Sequence, residues 1–265
     1  MNRLRIATVQ FPVGANVRRN LKHMVDLTRQ AKRRNADVVH FSEACLGGYA
    51  GGDFRTWDHY DWKQLTHAEA TLLRLSKDLR IGIIYGTNHR ISRSDIRNRL
   101  IYVSKQGKPV AHYDKRFCTE GDLRYYKSGS RFAIFTINGF TCGLLICYDV
   151  RFPELYREYK KRKTQVVFHS FYNARSQAAN IHTVIMRPTL QARAATNYVY
   201  ISANNASGYY QSWPSVFVLP DGTIAGSCRQ HRTGLILNQI SSADHYYDAS
   251  RPYRDRAMSG LLRSE

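Results

Sequence analysis

Residues 143–154 read GLLICYDVRFPE, and this stretch carries the clearest structural pattern in the chain. Residues 144–146 are an unbroken apolar run preceded by Phe140, Thr141 and Cys142, and such a pattern is typical of a strand buried on both faces. Polar residues follow Cys147, and Pro153 suits the first turn of a helix. The sequence therefore predicts that Cys147 ends a buried strand, with the N–H groups of the next turn beside its side chain.

Strand and helix patterns alternate on both sides of this stretch. Helices are predicted at 17–34, 65–79, 153–162 and 177–195. Pro188 is expected to interrupt or kink the last and longest of them. Strands are predicted at 4–9, 37–41, 81–85, 98–104, 109–113, 132–137, 140–147, 165–168, 198–204, 215–219, 223–227 and 235–240. Hairpin turns are predicted at Gln106-Gly107, Asn138-Gly139 and Pro220-Asp221-Gly222. This order predicts one α/β domain over residues 1–265, with a mixed sheet or two packed sheets and an irregular tail from about residue 241.

The chain is strongly basic, with 40 Lys and Arg against 20 Asp and Glu, which gives a formal charge of +20. Such a field attracts polyanions or an acidic substrate. The basic residues are nevertheless spread along predicted helices, and no nucleic-acid-binding fingerprint accompanies them. A solvated basic surface is therefore favoured over nucleic-acid binding.

Five cysteines are present, an odd number, and their spacing matches no metal-binding motif. A disulfide framework is not predicted, and each cysteine taken alone is expected to be an inert core residue. No apolar run is long enough to span a bilayer, and the N-terminus enters a strand without the apolar core of a signal peptide. These features favour a cytoplasmic protein without a membrane anchor.

Three chemically complementary residues follow predicted strands. Glu43 follows the strand at 37–41, Lys115 follows the strand at 109–113, and Cys147 ends the central run. Because parallel strands of one sheet end at a common edge, we expect these side chains to converge at one rim. A carboxylate can take the thiol proton, while an ammonium group and the backbone N–H of Tyr148 can stabilise the oxyanion that forms when sulfur attacks a carbonyl or nitrile carbon.

The strings FSEACLGGY at 41–49, YDKRF at 113–117 and CYDVRFPE at 147–154 resemble, in order and spacing, the three signatures of the nitrilase or carbon–nitrogen hydrolase superfamily. The similarity extends over nearly the whole chain. It implies a four-layer α-β-β-α sandwich, built from two mixed β-sheets with helices on both outer faces. It also implies that Glu43 is the general base, Lys115 the oxyanion stabiliser and Cys147 the nucleophile.

The resemblance also implies a reaction. Cys147 attacks an amide, carbamoyl or nitrile carbon, ammonia or an amine leaves, and water hydrolyses the resulting thioester to the acid. The string CYDVRFPE is closer to the amidase-like branches than to true nitrilases. No metal or organic cofactor is implied, and a homodimer or larger homo-oligomer is expected. Two alternatives stay open: a non-catalytic binding protein that uses its basic surface, and an acyltransferase that passes the acyl group to an amine.

Other residues are expected near the site. Many family members carry a second glutamate after the lysine, and here the matching position is Asp122, with Glu120 close by. The resemblance places Asn173 where substrate is often contacted, and Tyr49 lies in a glycine-rich loop that is a candidate pocket wall. Arg151 and Glu154 are interpreted as a structural ion pair that orders the turn after Cys147. Specificity is expected to lie in the loops at 46–57, 119–130 and 170–176.

Overall fold

The structure of the chain, a computed structural model, describes residues 1–173 and 180–265. In these residues the strands are β1 (Arg3–Gln10), β2 (Val38–His40), β3 (Gly82–Arg90), β4 (Ile96–Val103), β5 (Pro109–Asp114), β6 (Ile134–Ile137), β7 (Phe140–Ile146), β8 (Val166–Ser170), β9 (Tyr200–Asn204), β10 (Val216–Val218), β11 (Ile224–Ser227) and β12 (Gly234–Ser241). The helices are α1 (Val17–Arg33), α2 (Trp62–Leu79), α3 (Glu120–Leu123), α4 (Pro153–Lys161), α5 (Ile181–Asn197) and α6 (Arg254–Met258). A 3₁₀ turn covers Cys147–Arg151.

The strands form two six-stranded mixed sheets. The first sheet has the order β12-β1-β2-β3-β4-β5, and the second has the order β11-β10-β9-β8-β7-β6. In each sheet three neighbouring strands are parallel, namely β1, β2 and β3 in the first and β7, β8 and β9 in the second. The other pairings are antiparallel. Two packed sheets are thus formed rather than a single mixed one.

Apolar side chains pack the two sheets against each other and against helices outside them. Ile6 and Val38 of the first sheet belong to the same buried cluster as Leu144 and Phe168 of the second. The opposite face of the first sheet packs against α1 and α2, where Met24 and Leu72 are buried among similar residues; the outer face of the second packs against α4 and α5. The predicted four-layer α-β-β-α sandwich is confirmed.

A polar layer crosses the interface between the sheets at the ends of the parallel strands. The imidazole of His40 lies between the hydroxyls of Ser202 (2.8 Å) and Ser170 (2.8 Å), and Thr8 bonds to Ser202 at 2.7 Å. Burial lowers the pKa of His40 to about 3, so this ring is neutral at physiological pH. These bonds fix how the two sheets are aligned, because each joins a strand of one sheet to a strand of the other.

Most elements lie where the sequence predicts them, and the predicted hairpin turns join β4 to β5, β6 to β7 and β10 to β11. Asn138 and Gly139 both have positive φ, 46° and 82°, as a two-residue hairpin loop requires. Of the two outcomes predicted at Pro188, the interruption is wrong, since α5 continues through this residue; the kink stays a prediction. The first residues of that predicted helix, 177–179, lie outside the described part of the chain. The tail predicted to be irregular contains the short helix α6.

None of the helices in residues 1–173 and 180–265 combines the length and apolar character that crossing a membrane requires.

Gly86 in β3 lets this strand pack closely against residues 42–44, which follow β2. A Cβ atom on Gly86 would lie 2.3 Å from the backbone N of Ala44 and 2.6 Å from the carbonyl oxygen of Ser42. We expect Gly86→Ala to lower the free energy of unfolding by about 1–3 kcal/mol, because the backbone must move to relieve the clash. Urea denaturation measures the change. Gly234→Ala is the control, because no atom lies within 4 Å of its added Cβ; equal stability of the two variants would contradict the prediction.

Candidate active site

Cys147 occupies a strained backbone position directly after β7. Its φ is 43°, in the left-handed region that residues other than glycine seldom adopt. Such strain is found at functional sites when the surrounding structure holds it in place. Cys147 also begins the 3₁₀ turn, so the N–H of Tyr148 belongs to a first turn, where N–H groups have no acceptor within the helix. The thiol is half-buried and faces a cavity of about 210 Å³.

The carboxylate of Asp149 holds this turn in place. It accepts hydrogen bonds from the N–H of Ile146 (3.0 Å), the N–H of Phe117 (3.0 Å) and the hydroxyl of Tyr113 (2.8 Å). Burial raises the pKa of Asp149 to about 6. Phe117 and Tyr113 flank Lys115, so Asp149 connects the turn after β7 to the segment after β5. Asp149 does not cap α4, whose N-cap is Phe152 without a side-chain hydrogen bond.

Lys115 lies between two carboxylates. Its Nζ is 2.9 Å from Oε1 of Glu43 and 2.8 Å from Oδ2 of Asp122, and each of these side chains is at most 1% exposed. The backbone N–H of Lys115 donates to the carbonyl of Asn98 at 2.9 Å, which extends the pairing of β5 with β4 by one residue. The ammonium group is therefore fixed by both its backbone and its ion pairs.

Glu43 is positioned by both sheets. It follows β2 of the first sheet, and its N–H donates to the carbonyl of Phe171, which follows β8 of the second sheet, at 3.3 Å. Its carboxylate accepts from the side-chain amide of Asn98 at 2.7 Å and from the backbone N–H of Tyr172 at 2.8 Å. With Lys115, three donors fix the orientation of this carboxylate beside the cysteine.

The two carboxylates on Lys115 differ in proton affinity. Burial raises the pKa of Glu43 above its usual value, while Lys115 opposes this change. Burial acts in the same direction on Asp122, but the ammonium group and hydrogen bonds from Tyr49 and Thr119 hold the pKa of Asp122 below its usual value. Two carboxylates whose pKa values are shifted in opposite directions are the pattern expected when one of them takes up protons and the other stays ionised.

The thiol and the ammonium group are both protonated at neutral pH. Burial and the negative charge of Glu43 raise the pKa of Cys147 well above 9.0, although Lys115 acts to lower it. Burial acts to lower the pKa of Lys115, but Glu43 and neighbouring groups raise it well above 10.5. Cys147 is therefore a neutral thiol at rest, and it needs a base to become a nucleophile.

The cavity is lined by both apolar and polar side chains. Apolar contacts come from Val150, Phe171 and Met186, while Arg151 and His182 supply polar atoms. The guanidinium of Arg151 is 3.2 Å from Nδ1 of His182. Burial and this positive charge lower the pKa of His182, so a neutral ring faces the arginine.

Two further predicted residues, Tyr49 and Asn173, line the same cavity. The hydroxyl of Tyr49 donates to Oδ1 of Asp122, its ring stacks on Tyr172 at 5.0 Å, and its centroid is 5.8 Å from Nζ of Lys115. Glu120 is exposed on α3 and does not line the cavity. Of the two acidic residues predicted after the lysine, Asp122 is therefore the one that contacts Lys115.

The predicted ion pair between Arg151 and Glu154 is not found among the ion pairs of the described residues. Glu154 is exposed in the first turn of α4, where its charge interacts favourably with free N–H groups of the helix and with water. Arg151 instead faces the cavity and contacts His182. The sequence interpretation did not place Arg151 at this cavity.

The three central residues converge, but not along the rim of one sheet as expected. Glu43 and Lys115 follow strands of the first sheet, whereas Cys147 follows β7 of the second. The reason is that the parallel strands of both sheets end at the same side of the sandwich, so two rims meet there. Asn98 and Thr119 complete the site. Asn98 was not predicted, whereas Thr119 begins the loop at 119–130 that was expected to contribute to specificity. Asn98 has a recognisable signal, since it is a polar residue at an inward position of the alternating strand β4.

No group of three or more His, Cys, Asp or Glu side chains in the described ranges 1–173 and 180–265 is arranged to hold a metal ion. The chemistry that the site offers is that of a thiol, a carboxylate base and an ammonium group.

Comparison with known proteins agrees with this arrangement. The model of the carbon-nitrogen hydrolase family matches residues 5–246. The chain belongs to this family. It is therefore a carbon–nitrogen hydrolase, as its nitrilase-superfamily signatures predicted.

Individual relatives of this carbon–nitrogen hydrolase have low sequence identity to it, but the similarity covers most of the chain. The 2-oxoglutaramate amidase of Bacillus subtilis is 25% identical over 181 residues, which are 68% of this chain and 67% of the relative. Omega-amidase NIT2 of Xenopus tropicalis is 25% identical over 248 residues, covering 88% and 87%. A variant of the Nesterenkonia sp. AN1 amidase, solved with the acetamide moiety of fluoroacetamide attached to its active-site cysteine, superimposes with a TM-score of 0.84 at 21% identity, covering 98% and 97%.

Proposed function

We propose that this hydrolase cleaves the amide of a small substrate that also carries a carboxylate, and that it does so through a thioester on Cys147. The observation that carries this proposal is the shared cavity. It contains the Cys147 thiol and Lys115, and also the guanidinium of Arg151. Two relatives, a 2-oxoglutaramate amidase and an omega-amidase, support an amide substrate.

Acylation begins with proton transfer. The carboxylate of Glu43 takes the proton of the Cys147 thiol as sulfur attacks the carbonyl carbon of the amide. The carbonyl oxygen becomes negative and is stabilised by the ammonium of Lys115 and the N–H of Tyr148. The carbon–nitrogen bond then breaks, Glu43 returns the proton to the leaving nitrogen, and a thioester remains on Cys147.

Deacylation uses the same groups. Glu43 takes a proton from water as its oxygen attacks the thioester carbon, and the oxyanion again forms beside Lys115. Collapse of this intermediate releases the carboxylic acid and returns the proton to Cys147. The lowered pKa of Asp122 keeps this carboxylate ionised throughout. Its negative charge beside the ammonium group helps to keep Lys115 protonated.

Arg151 supplies the charge that selects the substrate. The two carboxylates on Lys115 balance that ammonium group, whereas Arg151 contacts the neutral ring of His182. A guanidinium at a cavity wall binds a carboxylate through charge-assisted hydrogen bonds. The proposed substrate therefore presents its amide to Cys147 and its carboxylate to Arg151.

The role of Arg151 is tested with two amides of equal length, the monoamide of succinate and butyramide. We expect Arg151→Met to lower kcat/KM for the charged amide about 10- to 100-fold, the loss expected for one charge-assisted hydrogen bond, and to change kcat/KM for butyramide little. Arg131→Met is the control, because it removes an exposed positive charge that does not line the cavity. An equal loss for both amides would show that Arg151 does not bind the carboxylate.

The pH profile tests the role of Glu43. Its raised pKa predicts that kcat/KM falls on the acid side with an apparent pKa above 4.5, because the protonated carboxyl group cannot accept the thiol proton. The raised pKa values of Cys147 and Lys115 predict no loss from these groups up to about pH 9. Because the amide of Asn98 lowers the pKa of Glu43, we expect Asn98→Ala to move the acid limb to higher pH. An unmoved limb would exclude Glu43 as the titrating base.

Water and an amine are alternative acceptors of the acyl group from the proposed thioester. Hydrolysis predicts that acid accumulates without added amine and that ammonia is released in equal amount. An acyltransferase would instead form product only when an amine acceptor is added. Measuring both products with and without a primary amine separates these two activities.

A further inference from the structure

A second cavity, of about 570 Å³, lies outside the catalytic site. Its walls are the loop at 55–62, the connection from β3 to β4, and the residues that follow α3. Among the described residues, the linings of the two cavities have no member in common. The volume is within the range of about 300–1,000 Å³ that is typical of small-molecule sites. We call it the aromatic–arginine cleft and define it by six of its lining residues, Trp57, Trp62, Arg90, Arg93, Arg124 and Tyr125.

Aromatic rings form one part of this cleft. Trp57 and Trp62 stack with centroids 5.4 Å apart and an interplanar angle of 28°. The ring of Tyr60, which also lines the cleft, is 4.7 Å from Trp62 and 5.1 Å from Trp57, and the indole N–H of Trp57 donates to the carbonyl of Tyr125. These rings are only partly buried, so part of their apolar surface is accessible in the cleft.

Guanidinium groups form the other part. Arg90, Arg93 and Arg124 are exposed at the cleft, and the guanidinium of Arg90 lies 4.6 Å from the ring centroid of Trp62. Arg55 also lines the cleft and donates to the carbonyl of Gly51 at 2.6 Å.

The charge of the cleft is strongly unbalanced. Among the described residues, four arginines and no lysine line it, against one carboxylate, that of Asp58. This carboxylate already accepts a hydrogen bond from Thr56 at 2.7 Å. Guanidinium groups match phosphate oxygens in geometry and also stack on aromatic faces. The cleft is thus equipped for a ligand that is both anionic and flat.

We propose that the aromatic–arginine cleft binds a mononucleotide. The base packs against the aromatic wall formed by Trp57, Tyr60 and Trp62, and the phosphate pairs with Arg93 and Arg124. Stacking on aromatic rings tolerates any base, whereas the phosphate supplies the charge that four guanidinium groups attract. This proposal is independent of the amide substrate, because the cleft contains neither Cys147 nor Arg151.

Intrinsic fluorescence provides the test on the full chain. Three tryptophans are present, of which Trp57 and Trp62 line the cleft and Trp213 is buried. We expect AMP to quench the fluorescence saturably and to bind more tightly than adenosine or inorganic phosphate. The double variant Arg93→Ala/Arg124→Ala should weaken AMP binding at least tenfold. The control Arg33→Ala/Arg131→Ala removes the same charge at exposed residues that do not line the cleft.

Several results would overturn the proposal. They are the absence of saturable quenching by AMP, equal weakening in the two double variants, and phosphate binding as tight as that of AMP. Binding of a single-stranded oligonucleotide but not of AMP would also overturn it, since it would indicate a nucleic-acid surface instead. Circular dichroism of both variants shows whether they fold, and the exposure of the replaced side chains predicts that they do.

Discussion

Replacing Cys147 with alanine is expected to lower kcat for amide hydrolysis by on the order of 10⁴-fold or more, the scale seen when a catalytic nucleophile is removed. No other described thiol lines the cavity with Lys115. The change removes only sulfur from a residue whose backbone stays in place, so the fold should be preserved. Ammonia release by purified wild-type and variant protein measures the effect.

A matched control for this change is Cys118→Ala. Cys118 lies three residues after Lys115 and is also half-buried, but it does not line the catalytic cavity. We expect its replacement to leave kcat within about twofold of wild type, as is usual for a substitution away from the reacting groups. Loss of activity in Cys118→Ala with retention in Cys147→Ala would reverse the assignment of the nucleophile.

Replacing Lys115 with methionine is expected to abolish hydrolysis and also to destabilise the fold. The oxyanion would lose its ammonium group, and Glu43 and Asp122 would be left buried together without their shared counter-ion. Removing one partner of a buried pair costs about 3–5 kcal/mol, because the remaining charge has no compensation. Urea denaturation and ammonia release measure the two effects.

Two variants separate these effects. Glu43→Gln should abolish hydrolysis with a smaller loss of stability than Lys115→Met, because a neutral amide of similar shape replaces the base and Lys115 retains Asp122. Lys161→Met removes an exposed ion pair with Glu158 and should change the free energy of unfolding by less than about 0.5 kcal/mol. Normal stability of Lys115→Met would contradict the proposed charge balance.

The sequence was sufficient to predict that Glu43, Lys115 and Cys147 lie close together. Each residue follows a predicted strand and lies in one of the three signature strings, and the structure brings their side chains to one place. What the pattern did not provide was the sheet to which each strand belongs. Strand order depends on long-range pairing, such as that of β12 with β1, which leaves no local mark.

Side-chain partners were harder to predict than positions. Asp122 was matched by counting along the chain, and its contact with Lys115 depends on the short helix α3, which was not predicted. The ion pair of Arg151 with Glu154 was inferred from sequence spacing alone. It was wrong because the 3₁₀ turn and α4 direct these residues to different environments, one to the cavity and the other to solvent.

Some expectations stay predictions. These are the homo-oligomeric assembly, the cytoplasmic location and the organisation of residues 1–265 as one domain. The loop at 170–176 is described only as far as Asn173, so its contribution to specificity lies partly outside the described residues.

The thioester on Cys147 is tested most directly by mass spectrometry of wild-type protein quenched in acid during turnover of the succinate monoamide. We expect the mass of the peptide that contains Cys147 to increase by the mass of the acyl group, and we expect no increase in Cys147→Ala. The increase should disappear when the substrate is exhausted. An acyl group on any other residue, or ammonia release by Cys147→Ala at the wild-type rate, would contradict it.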